Sequence, residues 1–224
     1  MEGDGDSHQD GLVITRYLQR WESQWSDKMK ILTVADVPCK ALWDYFDPAR
    51  LADIDLILSA GDLPAAYLSF LVTFAHCPVL YVHGNHDDRY ETKPPEGCIC
   101  VEDTVYTYEG VRILGLGGSM RYRPGVNQYT DEQMNRRIRK LRWKLFRSHG
   151  FDILLTHAPG KGMGDGEDLP HQGFAAFPGL LGKYEPKYMV HGHVHMNYSY
   201  NQPRQSVYGQ TQVINAFERF TFEY

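Results

Sequence analysis

The sequence predicts an α/β domain, and three observations lead there. Short apolar runs of strand length recur along the chain, and most are followed by a stretch with helical spacing. Polar residues stand directly after five of those runs. At 224 residues the chain fits a single domain with one large core, and 42% hydrophobic against 23% charged residues is ordinary for a globular protein.

Residues 1–28 open with an acidic, Gly-containing stretch and then place Ile14, Leu18, Trp21 and Trp25 at helical spacing. They read either as a short docking helix or as an extension ahead of a natural start at Met29, which leaves 29–224 as the functional domain. Residues 31–35 (Ile-Leu-Thr-Val-Ala) are expected to form the first strand. A helix is expected over 41–46, with Trp43, Tyr45 and Phe46 packing it onto the sheet rather than stacking on bases. Strands at 56–59, 79–82 and 111–116 come next, with a helix over 65–75 between the first two. Residues 131–147 read as one helix with Met134, Ile138, Leu141 and Leu145 at core spacing. Its other faces carry Arg136, Arg137, Arg139, Lys140, Arg142, Lys144 and Arg147, which ordinarily only solvate a helix but could hold a polyanion. Strands at 153–156 and 188–191 enclose a helix over 174–183. Residues 207–216 and 217–224 close the chain as two strands of a hairpin.

Composition excludes several classes. The net charge of −5 disfavours nucleic acid as a partner, leaving only a local basic face for it. Cys39, Cys77, Cys98 and Cys100 form no paired CxxC knuckles, which points to free thiols in a reducing, cytoplasmic setting. No apolar run has the length of a membrane span and no signal pattern opens the chain, so a soluble protein with no membrane partner is expected. The triplet Asn197-Tyr198-Ser199 matches a glycosylation acceptor, but carries no weight without secretion. There is no GxSxG elbow, no HExxH and no complete P-loop. Gly115-Leu116-Gly117 begins like a dinucleotide fingerprint, but Met120 stands where the third glycine belongs. Nothing in the sequence sets an oligomeric state.

The chemistry lies in the residues at the C-terminal ends of the strands. Asp36 comes directly after the first, Gly61-Asp62 after the second, Gly84-Asn85-His86-Asp87 after the third, His157 after the run 153–156, and His191-Gly192-His193-Val194-His195 at the end of the last. In an open α/β sheet the C-terminal strand ends line the ligand crevice, so these loops bring carboxylate, amide and imidazole donors to one edge. That donor set suits Mn, Fe or Zn rather than an all-oxygen calcium cage. Glycine beside the donors lets the backbone turn sharply without a side chain blocking the crevice.

The ordered series Asp36…Gly61-Asp62…Gly84-Asn85-His86-Asp87…His157…Gly192-His193-Val194-His195 resembles the signature of calcineurin-like metallophosphoesterases, over the chain from Lys30 to about His195. The resemblance implies a four-layer α/β/β/α sandwich holding one or two divalent transition-metal ions at the strand ends, and a phosphomonoester or phosphodiester as substrate. It implies that Asp62 bridges two metals, that Asn85, His157 and His193 complete one site, and that Asp36 and His195 belong to the other. His86 would be the catalytic group beside the leaving group, as a general acid or as a hydrogen-bond donor to the phosphate, while metal-activated water attacks phosphorus.

The first motif departs from the family's Asp-x-His, because Pro38 stands where the histidine belongs and has no donor atom. The first site then keeps Asp36, Asp62 and His195, and three protein ligands plus water is still a catalytic arrangement. Cys39 as a thiolate, Lys40 as a resident cation, or solvent alone could fill the gap. The alternative function is a metal-binding interaction or regulatory protein with reduced or lost catalysis. Two further residues are candidates for substrate contact. Arg121, in the loop after 111–116, either meets a phosphate oxygen or sits on a solvated turn. Residues 158–173, with five glycines, are either a lid that brings His171 to the substrate or a flexible connection.

Overall fold

The computed structural model describes residues 28–197 and 203–224. The helix expected through Ile14, Leu18, Trp21 and Trp25 lies outside them, as do Tyr198 and Ser199 of the Asn-Tyr-Ser triplet. Two sheets carry the fold. The first holds the parallel strands β1 (Lys30–Val34), β2 (Leu56–Ser59), β3 (Val79–Tyr81) and β4 (Ile99–Cys100), with β13 (Phe220–Glu223) antiparallel on the free edge of β1. The second has the order β11-β12-β10-β9-β6-β5. In it, β6 (Val111–Leu116), β9 (Ile153–Thr156), β10 (Tyr188–His191) and β12 (Thr211–Asn215) run parallel. Its edges, β5 (Thr104–Tyr108) and β11 (Gln205–Tyr208), are antiparallel. A short parallel ribbon, β7 (Ser119–Met120) with β8 (Gln128–Tyr129), stands apart.

The central strands read as unbroken apolar runs because both of their faces are covered. Ile31, Leu56, Leu58, Leu80 and Val82 meet Ile113, Ile153, Leu155, Val190 and Ile214 between the sheets. The alternate residues of the first sheet, Leu32, Val34, Ile57 and Val79, pack with Tyr67, Leu68 and Leu71 of α1 (Ala65–Phe74). On the far side Leu114, Leu154, Met189 and Val213 pack under α2 (Asp131–Lys140), α3 (Arg142–Arg147) and α4 (Ala176–Tyr184). The result is the four-layer α/β/β/α sandwich.

Three elements differ from expectation. The helix expected over 41–46 is a single 3-10 turn, Lys40–Leu42. Pro38 and Pro48 bracket it, and the second 3-10 turn, Pro48–Arg50, starts where Asp47 accepts from the Ala49 N–H. Trp43 still packs edge-on to Tyr67 and Phe70, and Phe46 onto Phe70 and Phe74, while Tyr45 is exposed. The helix over 131–147 breaks at Leu141, whose N–H is shared by the Arg137 and Ile138 carbonyls; α2 begins with the capping box of Thr130 and Gln133. At the C-terminus the hairpin is β11–β12, turning at Gly209 (φ +59°), and β13 crosses to the other sheet. Period-2 patterning shows a strand but not its partner. The four cysteines are free thiols, and no helix among the described residues is long and apolar enough to cross a membrane.

Candidate metal centre

The donors stand at the C-terminal ends of five parallel strands: Asp36 beyond β1, Asp62 beyond β2, Asn85 and His86 beyond β3, His157 beyond β9, and His193 and His195 beyond β10. The first sheet thus carries the candidate oxygen donors and His86, and the second carries the other imidazoles. Asp36, Asp62 and His193 hold φ angles of +66°, +59° and +68°, a left-handed region that non-glycine residues avoid. At Gly84 the approach is so close that a Cβ would lie 2.0 Å from Asp62 Oδ1.

Asp62, His157 and His193 each offer a ligand atom, all within 4.8 Å of one another. Asn85 Oδ1 lies 3.0 Å from His157 Nε2, and Asp62 Oδ2 lies 3.3 Å from the same nitrogen. The other ring nitrogen, Nδ1, donates to the Ala60 carbonyl at 2.8 Å. In that tautomer Nε2 is a lone pair facing two acceptors, an arrangement that needs a cation between them, either a proton or a metal. His193 is held in the same way: its Nε2 donates to the Pro170 carbonyl at 2.7 Å, which leaves Nδ1 as the ring's lone pair. A backbone carbonyl fixing the tautomer is the usual outer support of a metal-binding imidazole.

The charges agree. Burial would lower His157, but Asp62 and Asp36 outweigh it and raise its pKa to about 9. Burial, aided by the positive His157, lowers His193 to about 3, so its ring is neutral. Burial raises Asp36 to about 6; in Asp62 it is overcome chiefly by His157, leaving that carboxyl at about 2. His195, stacked against Phe217 with ring centroids 4.8 Å apart, is lowered by burial.

Asp36 Oδ1 accepts the His193 N–H at 2.9 Å, tying the two sheets together, while Oδ2 is buried without a hydrogen-bond partner among the described atoms. A buried carboxylate oxygen left over in this way fits a cation site, although Asp36 lies outside the Asp62, His157 and His193 group. Pro38 supplies nothing there; Cys39 is buried with Leu42 and Tyr67 beneath α1, and Lys40 is exposed. His86 presents an exposed side chain, and its backbone N–H donates to Asp62 Oδ1 at 2.7 Å.

Of the substrate candidates, Arg121 directs Nε and Nη2 to the Gln128 carbonyl at 3.4 and 3.2 Å, closing its own loop. His171 lies beside His193, ring centroids 5.4 Å apart, with Nδ1 2.7 Å from Asp168 Oδ2. It is carried by the 3-10 turn Leu169–His171, in a loop that Asp165 ties together by accepting from the Gly162 and Gly173 N–H groups.

Three contributors escaped the sequence. Asp87 is buried, its Oδ2 accepting from Asp62 N (2.8 Å) and Gly84 N (2.7 Å), so it joins two donor loops; burial and the Asp62 charge raise it to about 6. Its place in Gly84-Asn85-His86-Asp87 was the available signal. Tyr122 OH accepts from Asn85 Nδ2 at 3.4 Å, and Pro170 acts through its carbonyl. Neither has a spacing that sequence could reveal.

No curated protein matches the chain. One solved structure superposes with a TM-score of 0.64 at 13% identity, over 88% of this chain and 95% of that one. TT1561 of Thermus thermophilus gives 0.61 at 18% identity, over 86% and 90%. GAP50, the anchor in the inner membrane complex of Plasmodium, gives 0.52 at 11% identity, over 84% and 71%. At these identities the likeness is one of fold. The sequence model of the calcineurin-like phosphoesterases matches residues 5–197, and the chain belongs to that family.

Proposed function

We propose that residues 29–224 hydrolyse a phosphomonoester or phosphodiester at a centre holding one or two divalent transition-metal ions, Mn, Fe or Zn. The observation that carries this is the convergence of Asp62 Oδ2 and Asn85 Oδ1 on His157 Nε2, which calls for a cation between them, with His193 close by. Asp62, Asn85, His157 and His193 would hold one ion; Asp36 and His195, sharing Asp62, would hold a second.

A bound cation supplies the charge that acidifies water and stabilises the phosphoryl oxygens as they become more negative. The protein's own groups do the rest. Carbonyls at Ala60 and Pro170 keep the imidazole lone pairs directed. The His86 N–H and the Asp87 carboxylate hold the Asp62 loop, while the exposed His86 ring would donate a proton or hydrogen bond to a phosphoryl or leaving-group oxygen. His171, and Tyr122 beside Asn85, would flank the substrate.

Pro38 favours a second reading, a metal-binding interaction protein with little turnover. Hydrolysis of p-nitrophenyl phosphate and bis-p-nitrophenyl phosphate with added Mn separates the two. Mn-dependent turnover is expected, falling in Asp62→Ala and Asn85→Ala by about 10²–10³-fold, the range for losing a group that stabilises transition-state charge. Bound Mn without turnover selects the second reading; turnover unaffected by both substitutions removes the proposed centre.

A further inference from the structure

A polar network lies behind the His83–His86 loop, and nothing in the proposed chemistry uses it. Glu102 follows β4, and its side chain is 19% exposed. Oε1 accepts the Gly117 N–H at 2.8 Å and the Arg137 Nη2–H; Oε2 accepts the His83 backbone N–H at 3.1 Å and lies 3.3 Å from the His83 ring Nδ1. Arg137 was expected on a solvated face of its helix, yet its side chain is only 10% exposed. It donates from Nη1 to the Gly117 carbonyl at 2.8 Å and from Nε to Asp103 Oδ1 at 2.9 Å, with the guanidinium over the Tyr129 ring. Gly118 N–H donates to the His83 carbonyl at 2.7 Å. A Cβ at Gly117 would sit 2.4 Å from that carbonyl oxygen, so the close approach requires glycine.

His83 ends the β3 segment that delivers Asn85, whereas Gly117 and Gly118 end β6, the neighbour of the strand that delivers His157. The core between the sheets is apolar and non-directional, so polar links at the strand ends must set how the sheets are offset. We propose that Glu102, charge-balanced by Arg137, is a strut between the sheets that holds the spacing of Asn85 and His157 and thereby tunes cation affinity. It is a positioning residue, touching neither cation nor substrate. The inference rests on the reading that Asn85 and His157 share a cation.

Glu102→Gln preserves shape but turns one acceptor edge into a donor facing N–H groups. Asp103→Asn is the control, since the Asp103 side chain is half-exposed and, among the described residues, meets the network through Arg137 Nε. Calorimetric titration of Mn into the full chain, with amide exchange of residues 83–86 on the metal-free chain, reads the effect. We expect Glu102→Gln to weaken Mn binding by about 10- to 100-fold, the span seen when a supporting contact of a metal site is lost, and Asp103→Asn by less than about twofold. Exchange at 83–86 should rise in Glu102→Gln only. If Glu102→Gln does not fold, Arg137→Lys takes its place, with weakened Mn binding and faster exchange at 83–86 expected. Wild-type affinity and wild-type exchange in a folded Glu102 or Arg137 variant overturn the proposal, as does an equal loss in Asp103→Asn. A wild-type chain that binds no Mn defeats the phosphoesterase reading instead, and the exchange data still decide the strut.

Discussion

Asp36, Asp62 and His193 occupy backbone conformations that cost of order 1–3 kcal/mol each and persist only where surrounding structure over-determines them. Here the surroundings are identifiable: the Gly61 carbonyl accepts the Asp36 N–H, Asp87 accepts that of Asp62, and Asp36 accepts that of His193. In this way the ligand atoms of Asp62 and His193 come within 4.8 Å of each other. Among the described residues Asp36 Oδ2 remains without a partner, and Pro38 stands where the family pattern has a histidine. Pro38→His should therefore raise bound Mn toward two ions per chain, read by elemental analysis after dialysis. Equal metal content in both proteins would remove Pro38 as the limiting residue. The strand-end positions of the candidate donors were legible because a polar residue just after an apolar strand has only one edge to occupy. Asp87 and Pro170 escaped because they act on backbone N–H groups or through a carbonyl, and residue type does not encode such contacts.

Between elements, polar contacts add direction to apolar packing. Arg112 on β6 forks onto Asp152 just before β9, with Nε–Oδ2 at 2.8 Å and Nη2–Oδ1 at 2.6 Å, and its Nη1 reaches the Ser148 and His149 carbonyls after α3. Burial would raise the Asp152 carboxyl, but the Arg112 hydrogen bonds outweigh it and hold it below the usual carboxylate range. A depressed folded pKa means the contribution is present above the unfolded value and lost as pH falls toward the folded one. Asp152→Asn should cost about 1–2 kcal/mol at neutral pH, the scale of a charged hydrogen bond, and the gap to wild type should narrow below about pH 4. Thermal melts at pH 7 and pH 3 check it; a gap independent of pH would contradict it. The strands buried on both faces were legible, four of six with their observed bounds. The missed strands were short or edge ones, such as β4, β7 and β8, where local sequence carries little signal. Arg137 was misjudged because its ion partners, Glu102 and Asp103, lie far away in the chain.

Across the molecule, two mainly parallel sheets place oxygen donors on one side of a crevice and imidazoles on the other, so a cation there would bind both halves of the sandwich. Its affinity would then add to global stability by mass action. The most direct measurement is anomalous diffraction from a crystal soaked in Mn. The account predicts a peak within coordination distance of Asp62, Asn85, His157 and His193. A well-ordered crystal with those four side chains in place and no peak between them would contradict it.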